Sequence, residues 1–291
     1  LIGEPARRDL AAAVGLALTH LAKATAVKDL YNEPVAILWG DNYMERVDNF
    51  LPVLKTAELL VQQQQGKIIF IGETPRFANN NIGWIGLGDV VTEQNGLPAH
   101  RFESLTYRPP VELCNQIFAN QTHVWNTGYF VTTIGFVQEL YGRFQSEIAT
   151  TLSIIGDKIG QAGYKTTLHQ HYPTLPKISF DDAILVHIPP SDALVLHSEM
   201  GWSDPGTLYA LKEAINPDAE KNVVKGLVID DHSKDCLIYN YENDKLVVGA
   251  GLEGMIVVNT KDALVVVPKD KVPLIKQIVI GVDGSDFVAF C

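Results

Sequence analysis

VAILWGD, residues 35–41, decides the fold: five consecutive apolar residues run into Gly40 and then into a carboxylate, Asp41. An apolar burst of that length is too short for a helix. It predicts a buried strand, read as parallel, in an open α/β sheet. Ligands of such sheets bind beyond the carboxyl ends of the strands, which makes Asp41 a candidate functional residue. Upstream, DLAAAVGLALTHLAKA from Asp9 to Ala24 is built of strong helix formers with one apolar face, and Asp9 reads as its N-cap. Downstream, a helix is expected around Asn49 to Gln65 and a second buried strand at KIIFIG, Lys67 to Gly72. This alternation of strand and helix is the pattern of a doubly wound sheet.

The segment Asn79 to Tyr107 mixes Gly, Asn and aromatic residues and reads as irregular, with short strands. Helix is expected again at Pro109 to Asn120 and over most of Phe130 to Ala162. After a Pro-containing loop from Pro173 to Ala183, strands are expected at ILVHI, residues 184–188, and at VLHS, residues 195–198. The loop GWSDPG at Gly201 then presents a second acid, Asp204, where a strand stops. Asp41 and Asp204, if brought together, form a hard oxygen site suited to Mg²⁺, which keeps waters and takes substrate phosphates into its shell. A helix from Thr207 to Ala214 closes this part of the chain.

Beyond it GLVIDD, CLIYNY, KLVVGAGL, MIVVNT and ALVVVP recur as short strands between turn residues. That pattern suits a compact β-solenoid or β-roll. The expected organisation is therefore α/β, with one domain at 1–218 and an all-β module at 219–291.

With 46% hydrophobic and 20% charged residues, the 291-residue chain has the composition of a folded protein. A formal net charge of −11 opposes binding to nucleic acid or an anionic membrane. The three cysteines, Cys114, Cys236 and Cys291, are far apart and form no CxxC pair, which fits a reducing compartment. No apolar run approaches the roughly 18 residues a spanning helix needs. The expectation is a soluble, cytoplasmic protein whose sequence, starting at Leu1, begins downstream of further chain. His169 and His171 in LHQHYP have a spacing seen in metal sites, yet no third ligand stands near them, and they read as ordinary histidines.

Several segments carry a resemblance. GWSDPGTLYALKEA from Gly201 and the whole run from Gly226 to Val279 resemble the C-terminal half of mannose-1-phosphate guanylyltransferases. EPARRDLAAAV at Glu4 resembles that family's E-P-x-x-R-N/D-T-A-P-A-I segment, and VWNTGYF at Val124 its W-N-S-G-x-F element. The resemblance implies a Rossmann-like nucleotidyltransferase domain followed by a left-handed β-helix module that supports a homodimer. It implies that GTP and mannose 1-phosphate are joined, with Mg²⁺, into GDP-mannose and pyrophosphate.

By the same resemblance Asp41 occupies the acid of P-A-D-H and Asp204 that of G-W-S-D-V-G, the metal carboxylates. Arg108 in TYRPP stands for the phosphate-side Lys of E-K-P. Asn126 and Thr127 match the sugar-contacting element, Gly83 and Trp84 of NIGW (from Asn81) the backbone turn G-Y-G-Y, and Asp181 the acid of S-I-D-Y-A-V-M-E-K. Glu4, Arg8 and Asp9 fall near the nucleotide.

Departures are visible as well. Tyr107 replaces the Glu of E-K-P, Asn79 to Asn81 replace E-T-G, and Val186 and His187 replace a Glu and a Lys. The family's G-G-x-G-T-R-L-W-P stretch is not in the sequence. These differences leave open a different sugar phosphate or nucleotide, or a non-catalytic subunit that binds a sugar nucleotide or a partner.

Overall fold

The structure, a computed structural model, describes residues 1–24, 33–80, 82–204, 208–216, 218–282 and 285–287. Asn81, residues 205–206 of the GWSDPG loop with Thr207, and Cys291 lie outside the described residues. The strands are β1 Pro34–Ile37, β2 Tyr43–Met44, β3 Ile68–Glu73, β4 Gly83–Gln94, β5 Leu97–Tyr107, β6 His123–Thr133, β7 Ala193–Ser198, β8 Trp202–Ser203, β9 Val223–Lys225, β10 Val228–Asp231, β11 Leu237–Asn240, β12 Val247–Ala250, β13 Met255–Asn259 and β14 Leu264–Pro268. The helices are α1 Asp9–Ala24, α2 Val47–Gln62, α3 Val111–Asn120, α4 Ile134–Phe144, α5 Ser146–Gly156, α6 Tyr164–His171, α7 Phe180–Ala183, α8 Leu208–Ile215 and α9 Pro273–Val282. No helix among the described residues is long and apolar enough to cross a membrane.

The chain forms two units, one of Leu1–Trp39 with Arg46–Met200 and one of Gly40–Glu45 with Gly201–Cys291. The first unit is built on a sheet of order β1-β6-β3-β7-β5-β4, in which β4 also pairs with β6. All six residues of β3 are buried, as the unbroken apolar run KIIFIG implies. Aromatic packing ties α7 to the sheet, with Phe180 stacked on Phe130 of β6 at 5.6 Å, and joins β3 to β5 within it, with Phe70 on Phe102 at 5.1 Å. Tyr141 donates its hydroxyl hydrogen to the Ala11 carbonyl, which fixes the start of α1.

Three local expectations are corrected. β3 and β7 run parallel, but β1 pairs antiparallel with β6, Pro34 opposite Thr133. Nor is β1 buried as expected: Val35 and Ile37 are half-buried and Ala36 is exposed, so the apolar run marks a strand but neither its direction nor its burial. Asn79 to Tyr107 holds a long hairpin, β4 and β5, turning at Asn95 and Gly96, both at positive φ. Asn-Gly is the favoured pair for that turn. ILVHI is a 3₁₀ turn at Leu185–His187: Ile184, Leu185 and Ile188 enter the core, Val186 stays exposed, and Pro189 and Pro190 remove ladder donors. The Phe130 to Ala162 stretch is mostly helical, as expected, in α4 and α5; its first residues complete β6, and Thr133 caps α4 by accepting from the Phe136 amide at 3.3 Å.

In the second unit, β9, β11 and β13 form a parallel ladder, as do β10 and β12, so the short strands stack as rungs of a β-helix-type module. Leu237 and Ile238 are adjacent, point to opposite faces of β11 and are both 0% exposed. Burial on both faces is why these strands read as continuous apolar runs. Asn259 donates to Asn240 at 2.8 Å across neighbouring rungs. Gly226, at φ +87, lies so close to the Asn240 carbonyl oxygen that a Cβ would sit 2.0 Å from it, and no other residue fits.

One buried ionic group organises this module. Lys212, 1% exposed, lies 2.7 Å from Asp235, and Lys269 binds the other carboxylate oxygen. Burial alone would push the Asp235 carboxyl up, but hydrogen bonds and charge from Lys212 and Lys269 outweigh it and hold the group below the usual carboxylate range. Asp235→Asn keeps a side chain that tolerates the local φ of +55 but strands a buried ammonium. Urea titration should show a loss of about 3–5 kcal/mol. Because the folded carboxyl is more acidic than the unfolded one, its contribution is complete above the ordinary carboxylate range and is lost as pH falls through it. The variant should accordingly show a flatter acid limb of stability against pH.

Candidate functional site

In the first unit, three strands assemble the sequence-predicted residues. Gly83 on β4 stands opposite Asn126 on β6 and opposite Tyr107 on β5, so one rung of the sheet gathers all three. Asn126 Nδ2 approaches Asp181 Oδ1 at 3.5 Å, and its Oδ1 accepts from the Gly128 amide at 3.0 Å. Asp181 opens α7, where Ser179 accepts from the Asp182 amide at 3.0 Å and sets the turn. Arg108 follows β5 at φ +47, with its guanidinium 5.0 Å from the Tyr107 ring centroid.

Electrostatics tie the group together. Burial raises the Asp181 carboxyl, Asp182 and Asp9 raise it further, and Arg108 with a backbone hydrogen bond oppose them. Tyr107 is raised by burial first, with the same Arg108 working against it and the same three acids with it. Arg108, Asp9, Asp181 and Asp182 therefore share one electrostatic neighbourhood around Asn126.

Thr127 and Gly128 stand at a break in the ladder between β3 and β6: Ile71 faces Tyr129, while the next residue, Gly72, faces Asn126. Thr127 closes this bulge by donating to the Ile71 carbonyl at 2.6 Å and accepting from the Tyr129 amide at 3.1 Å. Thr127 and Trp84 are 2% and 0% exposed, and Trp84 donates to the Asn79 carbonyl at 2.8 Å. At the regular start of β4, alternation sends Trp84 to the face opposite Gly83. The polar groups of Thr127 and Trp84 are spent on the protein, so they support the site from beneath.

A groove of about 660 Å³ beside the start of α1 is lined by Glu4, Arg7, Arg8, Asp9 and Lys177. Glu4 accepts from the Tyr172 hydroxyl, and Asp9 accepts from the Leu10 amide at 2.8 Å. Arg8 Nε is buried with no hydrogen-bond partner among the described residues. Lys177 is a site residue that the sequence did not announce; the bond from the Ala11 amide to the Ile178 carbonyl at 3.2 Å brings it there. Cations beside a helix N-terminus favour an anionic ligand. His187, by contrast, stacks on Phe144 at 5.0 Å, and Val186 is exposed.

In the second unit, Tyr43 pairs with Ser203 and Met44 with Trp202 in an antiparallel ladder. Asp204 follows Ser203 and Asp41 lies two residues before Tyr43, so both acids leave the ladder at the same end. The described residues contain no group of three or more His, Cys, Asp and Glu able to hold a metal. A pair of carboxylates fits Mg²⁺, which needs few protein ligands, better than a cation that demands an all-protein cage.

The chain has counterparts of known type. Residues 226–281 match the family model for the MannoseP isomerase/GMP-like beta-helix domain. The mannose-1-phosphate guanylyltransferase of Escherichia coli K12 is 25% identical over 287 residues, 98% of this chain and 58% of its own length. That of Salmonella typhimurium LT2 is 26% identical over 288 residues, again 98% of this chain and 58% of the relative. The chain is similar to mannose-1-phosphate guanylyltransferases along nearly its whole length. It spans less than two thirds of these curated guanylyltransferases. A crystal structure from Thermus thermophilus, described as a mannose-1-phosphate geranyltransferase, matches 97% of this chain and 78% of that one with a TM-score of 0.78 at 24% identity, a likeness of fold. The likeness to guanylyltransferases covers both units and is not carried by the β-helix module alone.

Gly128 tests the bulge. At φ +75, a Cβ there would lie 2.4 Å from Trp39 Nε1. Gly128→Ala should lose about 1–3 kcal/mol in urea unfolding. Gly142→Ala, in α4 with nothing within 4 Å of the added carbon, should instead gain about 0.5–1 kcal/mol.

Proposed function

We propose that the protein is a nucleotidyltransferase that joins GTP and mannose 1-phosphate to give GDP-mannose and pyrophosphate. The observation that carries this reading is likeness to guanylyltransferases over 98% of the chain. The gathering of Arg108, Asn126, Gly83 and Asp181 around one rung supports it.

The chemistry needs little proton transfer. A phosphate monoester with a second pKa of about 6 is mostly dianionic at neutral pH and is its own nucleophile. Its oxygen bonds to the α-phosphorus of GTP as the bond from that phosphorus to the pyrophosphate oxygen breaks, with no covalent enzyme intermediate. The protein's work is to hold two polyanions and align them. Arg108 grips the sugar phosphate, since a guanidinium can bind two phosphate oxygens at once. Asn126 offers both a donor and an acceptor to sugar hydroxyls. Arg8, with Glu4 and Asp9, serves the nucleotide. Asp41 and Asp204 would hold Mg²⁺, which when bound offsets negative charge on the phosphates.

We read the protein as cytoplasmic and as a homodimer formed through its β-helix-type module. A variant reading, the same reaction on another sugar or nucleotide, is favoured by one feature: Tyr107, where a carboxylate acceptor was expected, lies in the Arg108 neighbourhood. A panel of sugar phosphates and nucleoside triphosphates, followed by pyrophosphate release, separates the two. Asp204→Asn should lower turnover by more than about a hundredfold while the urea midpoint stays unchanged. Substantial retained activity would remove the metal role of Asp204.

A further inference from the structure

Trp39 lies two residues before Asp41, where P-A-D-H would have its proline. Its backbone carbonyl accepts from the Tyr129 hydroxyl at 3.0 Å. Its indole lies on Gly128, with Nε1 and Cδ1 2.4 Å and 2.7 Å from the position of an added Cβ. Both ends of the residue are thus fastened to the bulge whose preceding residue is Asn126.

The four tryptophans differ in exposure. Trp84, Trp125 and Trp202 are 0%, 2% and 3% exposed, whereas Trp39 is half-buried. No described residue accepts a hydrogen bond from Trp39 Nε1–H, and that nitrogen is not among the sealed, unpartnered polar atoms. A half-buried aromatic ring whose N–H meets no acceptor among the described residues, packed on Gly128 two residues from the Asn126 carboxamide, is suited to one class of ligand. The C–H face of a pyranose packs on the ring, and a hydroxyl or phosphate oxygen takes the N–H.

We propose that Trp39 is a binding residue for the sugar ring of the hexose 1-phosphate, stacking on it and donating from Nε1–H. This rests on the reading given under Proposed function and adds a contact specific to this chain. Because the other tryptophans are sealed, Trp39 should also report the ligand by its own fluorescence.

The test titrates the intact protein with mannose 1-phosphate while following tryptophan emission and its quenching by acrylamide. The expected result is a shifted emission and lower quenching, both absent in Trp39→Phe. In steady-state assays Trp39→Ala should raise KM for mannose 1-phosphate about tenfold, ~1.4 kcal/mol, with KM for GTP near its unaltered value. Emission and quenching that the sugar phosphate leaves unchanged, or an unaltered KM in Trp39→Ala, overturns the proposal. Should Trp39→Ala fail to fold, quenching in the unsubstituted protein decides. If that protein releases no pyrophosphate yet mannose 1-phosphate still shields Trp39, the contact stands and the transfer reaction falls. If pyrophosphate release is normal and Trp39 stays open to quencher, the contact falls alone.

Discussion

Where β6 passes β3, Thr127 and Gly128 have no counterpart on the neighbouring strand, and the site of the first unit is arranged around that mismatch. Unmatched residues in a central strand leave backbone donors and acceptors without ladder partners, a costly state when buried. Side chains supply the replacements: Thr127 bonds the Ile71 carbonyl and the Tyr129 amide, and Asn126 bonds the Gly128 amide. Gly128 takes the positive φ and leaves room for the Trp39 indole. Each letter of WNTG is thereby accounted for, since Trp125 packs edge-on against both Trp84 and Phe77. The bulge is also what gives Asn126 a place next to Asp181.

How far such a site can be read in advance depends on whether its causes are local. Helix α1 was legible because its residue preferences and its apolar face agree, and β3 because burial on both faces leaves an uninterrupted apolar run. The β4–β5 hairpin was not, despite the Asn95-Gly96 pair, because glycines and repeated register shifts blur the two-residue period. WNTG was legible as a motif. Its neighbours were legible only by resemblance, since Arg108, Asn126 and Asp181 meet through sheet order and the placement of α7. Lys177 shows the limit: a cation in a proline-flanked loop carries no signal until a backbone bond to α1 fixes where the loop lies.

The two units handle charge in different ways. In the β-helix-type module, Asp235 sits between two lysines and is ion-paired with both, so the group is internally neutralised and its value is structural. Around Asn126 the balance is left incomplete, with Asp9, Asp181 and Asp182 facing Arg108. A net charge of −11 gives no bulk attraction for a polyanion, so under the proposed function phosphate recognition is made locally, by guanidinium geometry and desolvation.

On the proposed function, that incomplete balance would have a chemical use. A fixed carboxylate beside Arg108 would repel an arriving phosphate dianion, but burial and the neighbouring acids already raise the Asp181 carboxyl, so taking up a proton there costs less than at an exposed acid. Once protonated, Asp181 no longer opposes the phosphate and acquires a donor beside its remaining acceptor. It then presents to sugar hydroxyls the same mixed pattern as the Asn126 carboxamide 3.5 Å away. Under the proposed function, Arg108 is then left to the phosphate, and selectivity among sugars would rest on the geometry of Asn126 and Asp181.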